Sequence, residues 1–375
     1  MSSLESAIAS LSASQPGKIP AAGPATDSLH HVADPKELLE EHILPKLDPV
    51  FLQYFVDVLS KQPPSHLVPL EETRNHPEKY RSPGALDTSS GYERVRDDVV
   101  SSQDGASIPV RVYHPDPMVH GPGPYPVHLN YHGGGFVLGD LWSDGQLCLS
   151  MREAGVVVID VYSWLTPGES ETIWGKCIQD AWASLNWARD SSSTLNVNPT
   201  SVSIGGISAG GHISLILQHM ARDAGIELKL CLASVPSSMD AIWYTYYTDS
   251  PFSSFHEFHR APVLPWTRIK YFGRFCTPKD KKHDIRQMWP DWWFAPIRAP
   301  NWSGLCETFI RTAEVDPLRD EGEAYGLKLV AGGTRVTLKR YLGCPHTFMH
   351  LPFMKQKVEY DQDAVAALRV AHGLQ

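Results

Sequence analysis

A serine between two glycines is the feature that most restricts how this chain can fold. Gly206, Ser208 and Gly210 form the pattern G-x-S-x-G, which stands between an apolar run, Val202 to Ile204, and apolar residues at helical spacing, His212 to Ala224. A strand that turns sharply into a helix needs small residues, because the two elements approach closely there. The pattern therefore predicts a strained turn that presents the Ser208 hydroxyl at the end of a strand.

Short apolar runs alternate with helical stretches on both sides of this turn. The predicted strands are Ile108 to Tyr113, Val127 to Tyr131, Val156 to Val161, Val202 to Ile204, Leu228 to Ala233, Thr308 to Thr312 and Val336 to Leu342. The predicted helices between them include Ile178 to Arg189, His212 to Ala224 and Glu321 to Ala331. This alternation favours an α/β fold with a mostly parallel sheet that carries helices on both faces.

The remaining stretches predict how the chain is divided. Residues 1–34 are rich in Ser, Ala, Pro and Gly without periodicity, which is typical of a polar, mobile segment. Residues 35–90 predict two short amphipathic helices, broken at a proline, that cover another surface. Residues 237–300 are rich in aromatic residues and proline and predict an insertion folded over the carboxyl edge of the sheet. Residues 91–236 and 301–375 then form the core.

Composition restricts the partners and the compartment. The net charge of -9, with both signs interleaved, offers no basic face for nucleic acid or an anionic membrane. The N-terminus lacks a basic and apolar leader, and no long apolar run follows, so we expect a cytoplasmic protein without a stable membrane anchor. The six scattered cysteines predict free thiols and no metal site. No organic cofactor is implied, and a homodimer is left open.

Three successive glycines follow the second predicted strand. They are Gly133, Gly134 and Gly135, and His132 precedes them. Without a Cβ atom, these residues can turn their amides toward a ligand, and the amide of Ala209 lies at the start of a predicted helix, where negative charge is favoured. The combination predicts an oxyanion hole. We interpret His132 as a residue that anchors this loop by a hydrogen bond.

A carboxylate and an imidazole follow two later strands. Asp316 stands where the strand from Thr308 ends, and His346 follows the next strand. The carboxyl ends of parallel strands meet at one edge of the sheet, so both side chains should lie near Ser208. The chain order Ser, Asp, His is typical of one class of serine hydrolase, in which the imidazole is the base and the carboxylate orients it.

Three neighbouring residues compete for these roles. Glu314 and Asp320 could replace Asp316, but Glu314 is still in the predicted strand and Asp320 lies about one turn further on. His350 could replace His346, but it lies one helical turn past the loop. The preferred set is therefore Ser208, Asp316 and His346.

With these residues in place, the sequence resembles the hormone-sensitive-lipase-like branch of the α/β-hydrolases, to which many microbial carboxylesterases belong. The resemblance spans roughly residues 95 to 372 and is closest at His132 to Gly135, Gly206 to Gly211, Asp316 to Gly322 and His346. It implies an eight-stranded sheet with a helical cap, and oxyanion donors at Gly134, Gly135 and Ala209, with Gly133 alongside. It also implies hydrolysis of a carboxylic ester or lactone through an acyl-serine.

The sequence departs from the family pattern at three places. Ile207 stands where the family usually has Asp, and Thr347 stands where it prefers Gly. Residues 160–169 replace the family's D-Y-R-L-A-P-E stretch and lack its arginine. None of these changes removes a reacting group, so they suggest an unusual substrate.

Aromatic residues crowd the predicted insertion. The candidate pocket residues are Phe136, Trp243, Trp292 and Trp293. One interpretation is simple packing within the cap; the other is an aromatic-lined pocket for a small ester with a bulky apolar or aromatic group.

Two other functions fit the same residues. A natural-product tailoring enzyme would use the same base and oxyanion donors for deacetylation, elimination or cyclisation, so the sequence does not separate it from a hydrolase. A non-catalytic ligand receptor, as in the plant gibberellin receptor, which resembles this family, typically lacks one member of the triad. All three members are present here.

Overall fold

The structure is a computed structural model of the chain. It describes residues 35–85, 91–102, 104–162, 174–277 and 282–375. The predicted mobile segment, residues 1–34, and most of the 160–169 stretch lie outside these ranges.

Eight strands form one sheet in the order β1-β2-β4-β3-β5-β6-β7-β8. Their bounds are β1 Val95–Ser101, β2 Ser107–Tyr113, β3 Tyr125–Tyr131, β4 Val157–Val161, β5 Val197–Ile207, β6 Leu230–Ser234, β7 Thr308–Val315 and β8 Val336–Pro345. β2 runs antiparallel to β1 and β4, and the other neighbouring pairs are parallel. The expected α/β fold with an eight-stranded, mostly parallel sheet is confirmed.

The apolar runs predict seven of these strands and miss β1. This strand lies at the edge of the sheet and carries Arg96, Asp97 and Asp98 in its middle. An edge strand tolerates charged residues because one side of it meets solvent, so it lacks the apolar run that marks a buried strand. β3, by contrast, is buried along its whole length.

The α-helices lie between and around these strands. Their bounds are α1 Pro49–Asp57, α2 Leu70–Asn75, α3 Pro77–Tyr80, α4 Pro117–His120, α5 Gly145–Arg152, α6 Lys176–Asp190, α7 Ser192–Leu195, α8 Ala209–Asp223, α9 Ser253–Glu257, α10 Trp266–Cys276, α11 Lys282–Met288, α12 Asp291–Phe294, α13 Arg319–Ala331 and α14 Lys355–His372. Short 3-10 turns occur at Pro35–Leu38, Leu44–Lys46, Leu59–Lys61, Ser65–Leu67, Pro83–Ala85, Ala241–Trp243, Tyr247–Asp249, Pro296–Arg298 and Phe348–His350. Among the helices in the described ranges, none is both long and apolar enough to cross a membrane.

Two apolar cores fill the space between the sheet and its helices. On one face, α6, α8 and α13 pack against β3, β5 and β7 through residues such as Ile178, Ile213 and Leu329. On the other face, α5 and α14 contribute Cys148 and Leu368 to a smaller core. The sheet is therefore covered on both faces, which explains the continuous apolar runs in its central strands.

The N-terminal segment, residues 35–85, differs in detail from the prediction. Only 3-10 turns form before α1, and Pro45 lies inside one of them, Leu44–Lys46. Proline lacks an N–H, so a longer regular helix cannot run through this position without losing a hydrogen bond. Phe51 and other apolar residues of this segment share a buried cluster with Ile207 and Val315, which are the last residues of β5 and β7. The segment therefore covers the carboxyl edge of the sheet.

The inserted segment, residues 237–300, follows β6 and contacts the N-terminal segment. The Tyr271 hydroxyl donates to the carbonyl oxygen of Val68 at 3.3 Å, and His42 Nε2 donates to the carbonyl oxygen of Glu257 at 2.8 Å. These contacts support the proposal that the two segments form one cap over a core of residues 91–236 and 301–375.

Candidate active site

The turn after β5 places Ser208 in a strained backbone. Ser208 has φ 57° and ψ -112°, a combination that is uncommon for a residue with a side chain. A Cβ atom at Gly206 would lie 2.5 Å from the Tyr131 carbonyl oxygen, and one at Gly210 would overlap the same oxygen. Both positions therefore require glycine, because a side chain at either would collide with the backbone of β3. Ser208 immediately precedes α8, at the N-terminus of this helix.

The loop after β3 lies directly beside this turn. A Cβ atom at Gly133 would lie 3.2 Å from the Ile207 carbonyl oxygen. Gly134 and Gly135 have φ values of 118° and 62°, which favour glycine. The amides of these three glycines and of Ala209 donate no hydrogen bond to any residue that the structure describes. They are therefore available to an oxygen atom bound next to Ser208.

His132 begins this loop and does not contact the serine hydroxyl. Its Nδ1 donates to the carbonyl oxygen of Gly133 at 2.7 Å, and its ring lies against Gly139. The geometry fits the role of a loop anchor.

Asp316, His346 and Ser208 form one line of hydrogen bonds. His346 Nδ1 donates to Asp316 Oδ2 at 2.7 Å, and the Ser208 hydroxyl donates to His346 Nε2 at 2.9 Å. Asp316 is fully buried, and Ser208 keeps 9% of its surface exposed. The amide of Leu318 donates to the other Asp316 oxygen at 2.9 Å. The structure thus brings together three residues that come from the ends of β5, β7 and β8.

The three competing residues have other partners. Glu314 Oε2 accepts a hydrogen bond from a backbone amide of β8 at 2.7 Å. Asp320 Oδ2 accepts from the Ser254 amide at 2.8 Å. His350 Nε2 lies 2.8 Å from Asp144 Oδ1. None of the three takes part in the hydrogen bonds that join Ser208 to His346.

Comparisons with known proteins identify the family of this fold. A family model described as the α/β-hydrolase fold matches residues 128–350. The carboxylesterase NlhH of Mycobacterium tuberculosis is 34% identical over 259 residues, which cover 68% of this chain and 76% of the relative. An AB hydrolase superfamily protein of Schizosaccharomyces pombe is 28% identical over 346 residues, or 89% of this chain and 96% of the relative. The solved esterase of Pyrobaculum calidifontis is 28% identical with a TM-score of 0.73, and the match covers 86% and 98% of the two chains.

The chain belongs to the α/β-hydrolase family. Within it, the chain is a member of the hormone-sensitive-lipase-like branch, as the sequence motifs suggest.

The structure shows the surroundings of two residues at which this α/β-hydrolase departs from its family pattern. Ile207 is 2% exposed and packs in the apolar cluster beneath the N-terminal segment. Thr347 has φ 57°, a conformation that glycine adopts readily and that strains a β-branched residue. Of the 160–169 stretch, only Asp160, Val161 and Tyr162 are within the described residues.

A row of aromatic rings begins next to the loop that follows β3, residues 132–138, which we call the oxyanion loop because its glycine amides are the candidate oxyanion donors. The Phe136 ring meets the Trp174 ring edge-on, with centroids 4.8 Å apart. Trp174 stacks on Phe294 at 5.5 Å, and Phe294 meets Trp243 edge-on at 5.1 Å. We call Phe136, Trp174, Phe294 and Trp243 the aromatic row. The sequence prediction included its two outer members and missed Trp174 and Phe294.

The two remaining candidate tryptophans occupy different places. The Trp293 carbonyl oxygen accepts from His212 Nε2 at 2.8 Å, one helical turn after Ser208. The Trp292 ring lies 5.5 Å from that of His219, about three helical turns along α8 from Ser208. The structure therefore separates Trp292 from the nucleophile and from the aromatic row.

Residues of the N-terminal segment and of the inserted segment hold the oxyanion loop. The Phe272 ring occupies the space that a side chain at Gly135 would need. Arg74 Nη2 donates to the carbonyl oxygen of Val137 at 2.8 Å, and Cys276 Sγ donates to that of Gly135 at 3.5 Å. Sequence reasoning missed these contacts. Phe272 belongs to the aromatic insertion, which was a usable signal, but an arginine that binds a carbonyl oxygen leaves no pattern in the sequence.

A second buried carboxyl group joins the core to the inserted segment. Glu321 Oε1 accepts hydrogen bonds from the amides of Ser238 and Met239 at 2.8 and 3.2 Å. Burial raises the pKa of Glu321 to about 8. Among the described residues, no group of three His, Cys, Asp or Glu side chains is arranged to hold a metal ion.

Proposed function

We propose that Ser208 is the nucleophile, His346 the general base and Asp316 the orienting carboxylate of this carboxylic ester hydrolase. The hydrogen bonds from Asp316 through His346 to Ser208 are the observation that carries this proposal. Carboxylesterases are among its relatives, and the chain has every side chain that an acyl-serine mechanism requires.

Acylation begins when Ser208 Oγ attacks the ester carbonyl carbon and its proton passes to His346 Nε2. Asp316 accepts from Nδ1 and stabilises the imidazolium that forms. The C–O bond to the alcohol then breaks, and the proton on Nε2 leaves with the alcohol. A water molecule repeats the steps at the acyl-serine: His346 takes its proton, the carboxylic acid departs, and Ser208 recovers its hydrogen.

The negative oxygen of each tetrahedral intermediate meets the amides of Gly134, Gly135 and Ala209, with Gly133 alongside. These amides have no acceptor within the described chain, and that of Ala209 is at the N-terminus of the 15-residue helix α8. Preorganised donors of this kind stabilise the transition state by roughly 3 to 4 kcal/mol each.

The substrate that we infer is a small-molecule ester that carries a bulky apolar or aromatic group. The aromatic row supports this inference because its first ring, Phe136, directly follows Gly135 in the oxyanion loop. A planar substituent beside these rings would gain edge or stacking contacts that an acetate does not offer.

A fluorophosphonate probe tests the catalytic assignment. We expect the wild-type protein to be labelled once, at Ser208, and Ser208→Ala to remain unlabelled while its circular dichroism spectrum is unchanged. A wild-type protein that resists labelling and hydrolyses no ester would instead favour the ligand receptor.

A panel of p-nitrophenyl esters, from acetate to large aromatic acids, tests the substrate class. We expect Trp243→Phe to reduce the preference for aromatic over acetyl esters by about tenfold in kcat/KM. Trp292→Phe is the matched control, because it changes the same residue type outside the aromatic row. Equal rates on all esters, or equal effects of the two variants, would contradict the aromatic pocket.

A cytoplasmic location and a homodimer also remain proposals. The six cysteines are free, as expected in a reducing compartment. Cell fractionation tests the location. Light scattering coupled to gel filtration tests the assembly, and β8 is a surface to examine because it is an edge strand with Leu342 exposed.

A further inference from the structure

His350 is a half-buried histidine that the proposed reaction does not use. Its Nε2 lies 2.8 Å from Asp144 Oδ1, and the two side chains are 13% and 0% exposed. A hydrogen bond to a fully buried carboxylate is geometrically specific, because the histidine cannot turn away without leaving that carboxylate oxygen unpaired.

Asp144 continues the network into the sheet. Asn130 Nδ2 donates to Asp144 Oδ2 at 3.0 Å and to Asp160 Oδ1 at 2.8 Å, so both amide hydrogens are used. Burial, together with the nearby charge of Asp144, raises the pKa of Asp160 well above its ordinary value. Burial alone would raise the pKa of Asp144 too, but its hydrogen bonds from His350 and Asn130 lower it. Asp144 therefore carries the negative charge, and His350 stabilises it.

This network joins parts of the candidate active site that are far apart in the sequence. Asn130 lies in β3 and pairs in register with Gly205 of β5, three residues before Ser208. Asp144 ends the stretch that begins with the oxyanion glycines. His350 ends the turn that begins with His346, and its amide donates to the Thr347 carbonyl oxygen at 3.1 Å.

The stretches that connect these residues to the reacting groups are stiff. The amides of Val137 and Leu138 both donate to the Gly134 carbonyl oxygen, at 3.1 and 2.9 Å. The Ser143 amide donates to the carbonyl oxygen of Asp140 at 3.0 Å. A displacement of Asp144 should therefore move the oxyanion amides. A displacement of the loop from His346 to His350, which we call the base loop, should move the His346 imidazole. Consecutive hydrogen-bonded turns allow little independent movement.

We propose that Asp144 and His350 are positioning residues that fix the base loop relative to the oxyanion loop. The proposal rests on the catalytic roles given above for His346 and the glycine amides. Neither Asp144 nor His350 touches the substrate; the pair sets the distance between the groups that do.

The main test compares three variants on one activated ester. His350→Ala should lower kcat by about 10- to 100-fold, because small misplacements of reacting groups have effects of this size. Its KM should stay within about threefold of wild type, as expected when only transition-state geometry is lost. His350→Gln places an amide donor near the position of Nε2 and should recover most of kcat. His114→Ala is the matched control.

His114 resembles His350 in burial and bonding but lies elsewhere. It is half-buried, and its Nε2 donates to the Leu195 carbonyl oxygen at 3.0 Å. It follows β2 at the end of the sheet opposite to the active site. His114→Ala should therefore lower the thermal midpoint about as much as His350→Ala while leaving kcat within about twofold.

A double-mutant cycle isolates the pair. If Asp144→Ala and His350→Ala each remove the same link, the double variant should lose little more activity than the worse single variant. Three results would overturn the proposal: a kcat for His350→Ala equal to that of His114→Ala, no recovery with glutamine, or additive losses in kcat. His350→Gln preserves size and the donor, so it supplies the kcat comparison with wild type if the alanine variants do not fold.

The outcome is separable from that of the proposed mechanism. An active Ser208→Ala protein would contradict the catalytic roles themselves. Full activity in His350→Ala, together with complete loss in Ser208→Ala, would contradict only the positioning pair.

Discussion

The strand ends and the inserted segment hold their side chains by different means. At the strand ends, hydrogen bonds and backbone sterics fix Ser208, His346 and the oxyanion glycines. In the inserted segment, ring contacts fix residues such as Trp243 and Phe294. Backbone geometry tolerates little change, whereas packed rings of similar volume can be exchanged at small cost. The candidate catalytic groups are therefore held rigidly at the strand ends, whereas the rings that we propose select the substrate can vary.

Removal of the proposed nucleophile gives the largest expected effect and changes only the strand ends. Ser208→Ala should lower kcat by at least about 10³-fold, because the attacking oxygen is lost. Adding His346→Ala should lower it little further, since the three side chains act as a unit. Steady-state kinetics with thermal melts would check both. Independent, multiplicative losses would count against a shared mechanism.

The contact between the two regions gives an intermediate effect. Gly135→Ala should lower kcat by about 10²-fold, because the new methyl group overlaps the Phe272 ring and displaces an oxyanion amide. Phe272→Ala removes the obstacle, so the double variant should recover part of the loss. The recovery will be incomplete because Gly135 has φ 62°, which also strains alanine. A double variant no better than Gly135→Ala would show that Phe272 does not press on the loop.

Glu321 joins the core to the inserted segment, and its replacement gives the smallest expected effect, which is on stability. Its pKa is raised from 4.5 to about 8 by burial, so between these pH values the folded chain binds a proton that the unfolded chain has released. The free energy of unfolding should therefore fall as the pH rises from 4.5 to about 8. Glu321→Gln abolishes this dependence and should be more stable than wild type at pH 8 by about 1 kcal/mol or more.

Urea unfolding of both proteins, near pH 5 and at pH 8, measures this difference. The two proteins should differ little at the lower pH. Parallel stability curves across the range would mean that Glu321 is charged in the folded state, and the link between core and insertion would then be hydrogen bonds from amides to a carboxylate.

The sequence predicts the strand ends well because their requirements are local. Gly206 and Gly210 flank Ser208 for a steric reason that any strand-to-helix turn of this kind shares. The order of Ser208, Asp316 and His346 follows from the order of parallel strands. The choice of His346 over His350 agrees with the hydrogen bonds, although the roles themselves await the tests above.

The sequence predicts the cap less well because its contacts join distant residues. Trp292 and Trp243 belong to the same aromatic stretch, yet only Trp243 lies in the aromatic row. Trp174 completes this row from outside the insertion. The Asp144–His350 pair spans 206 residues of sequence, and no local spacing indicates it. Such contacts depend on tertiary packing, which composition and periodicity do not encode.

The amides of Gly134, Gly135 and Ala209, which have no acceptor among the described residues, also offer a way to find ligands without knowing the substrate. A compound that places an anionic oxygen among them, such as a boronate or a trifluoromethyl ketone captured by Ser208, gains hydrogen bonds that the unfolded chain cannot supply. It should therefore raise the melting temperature, and at equal concentration the rise should be larger for a tighter complex. A chemical library could be ranked by thermal shift alone, and the shape of the best compounds would outline the natural acyl group.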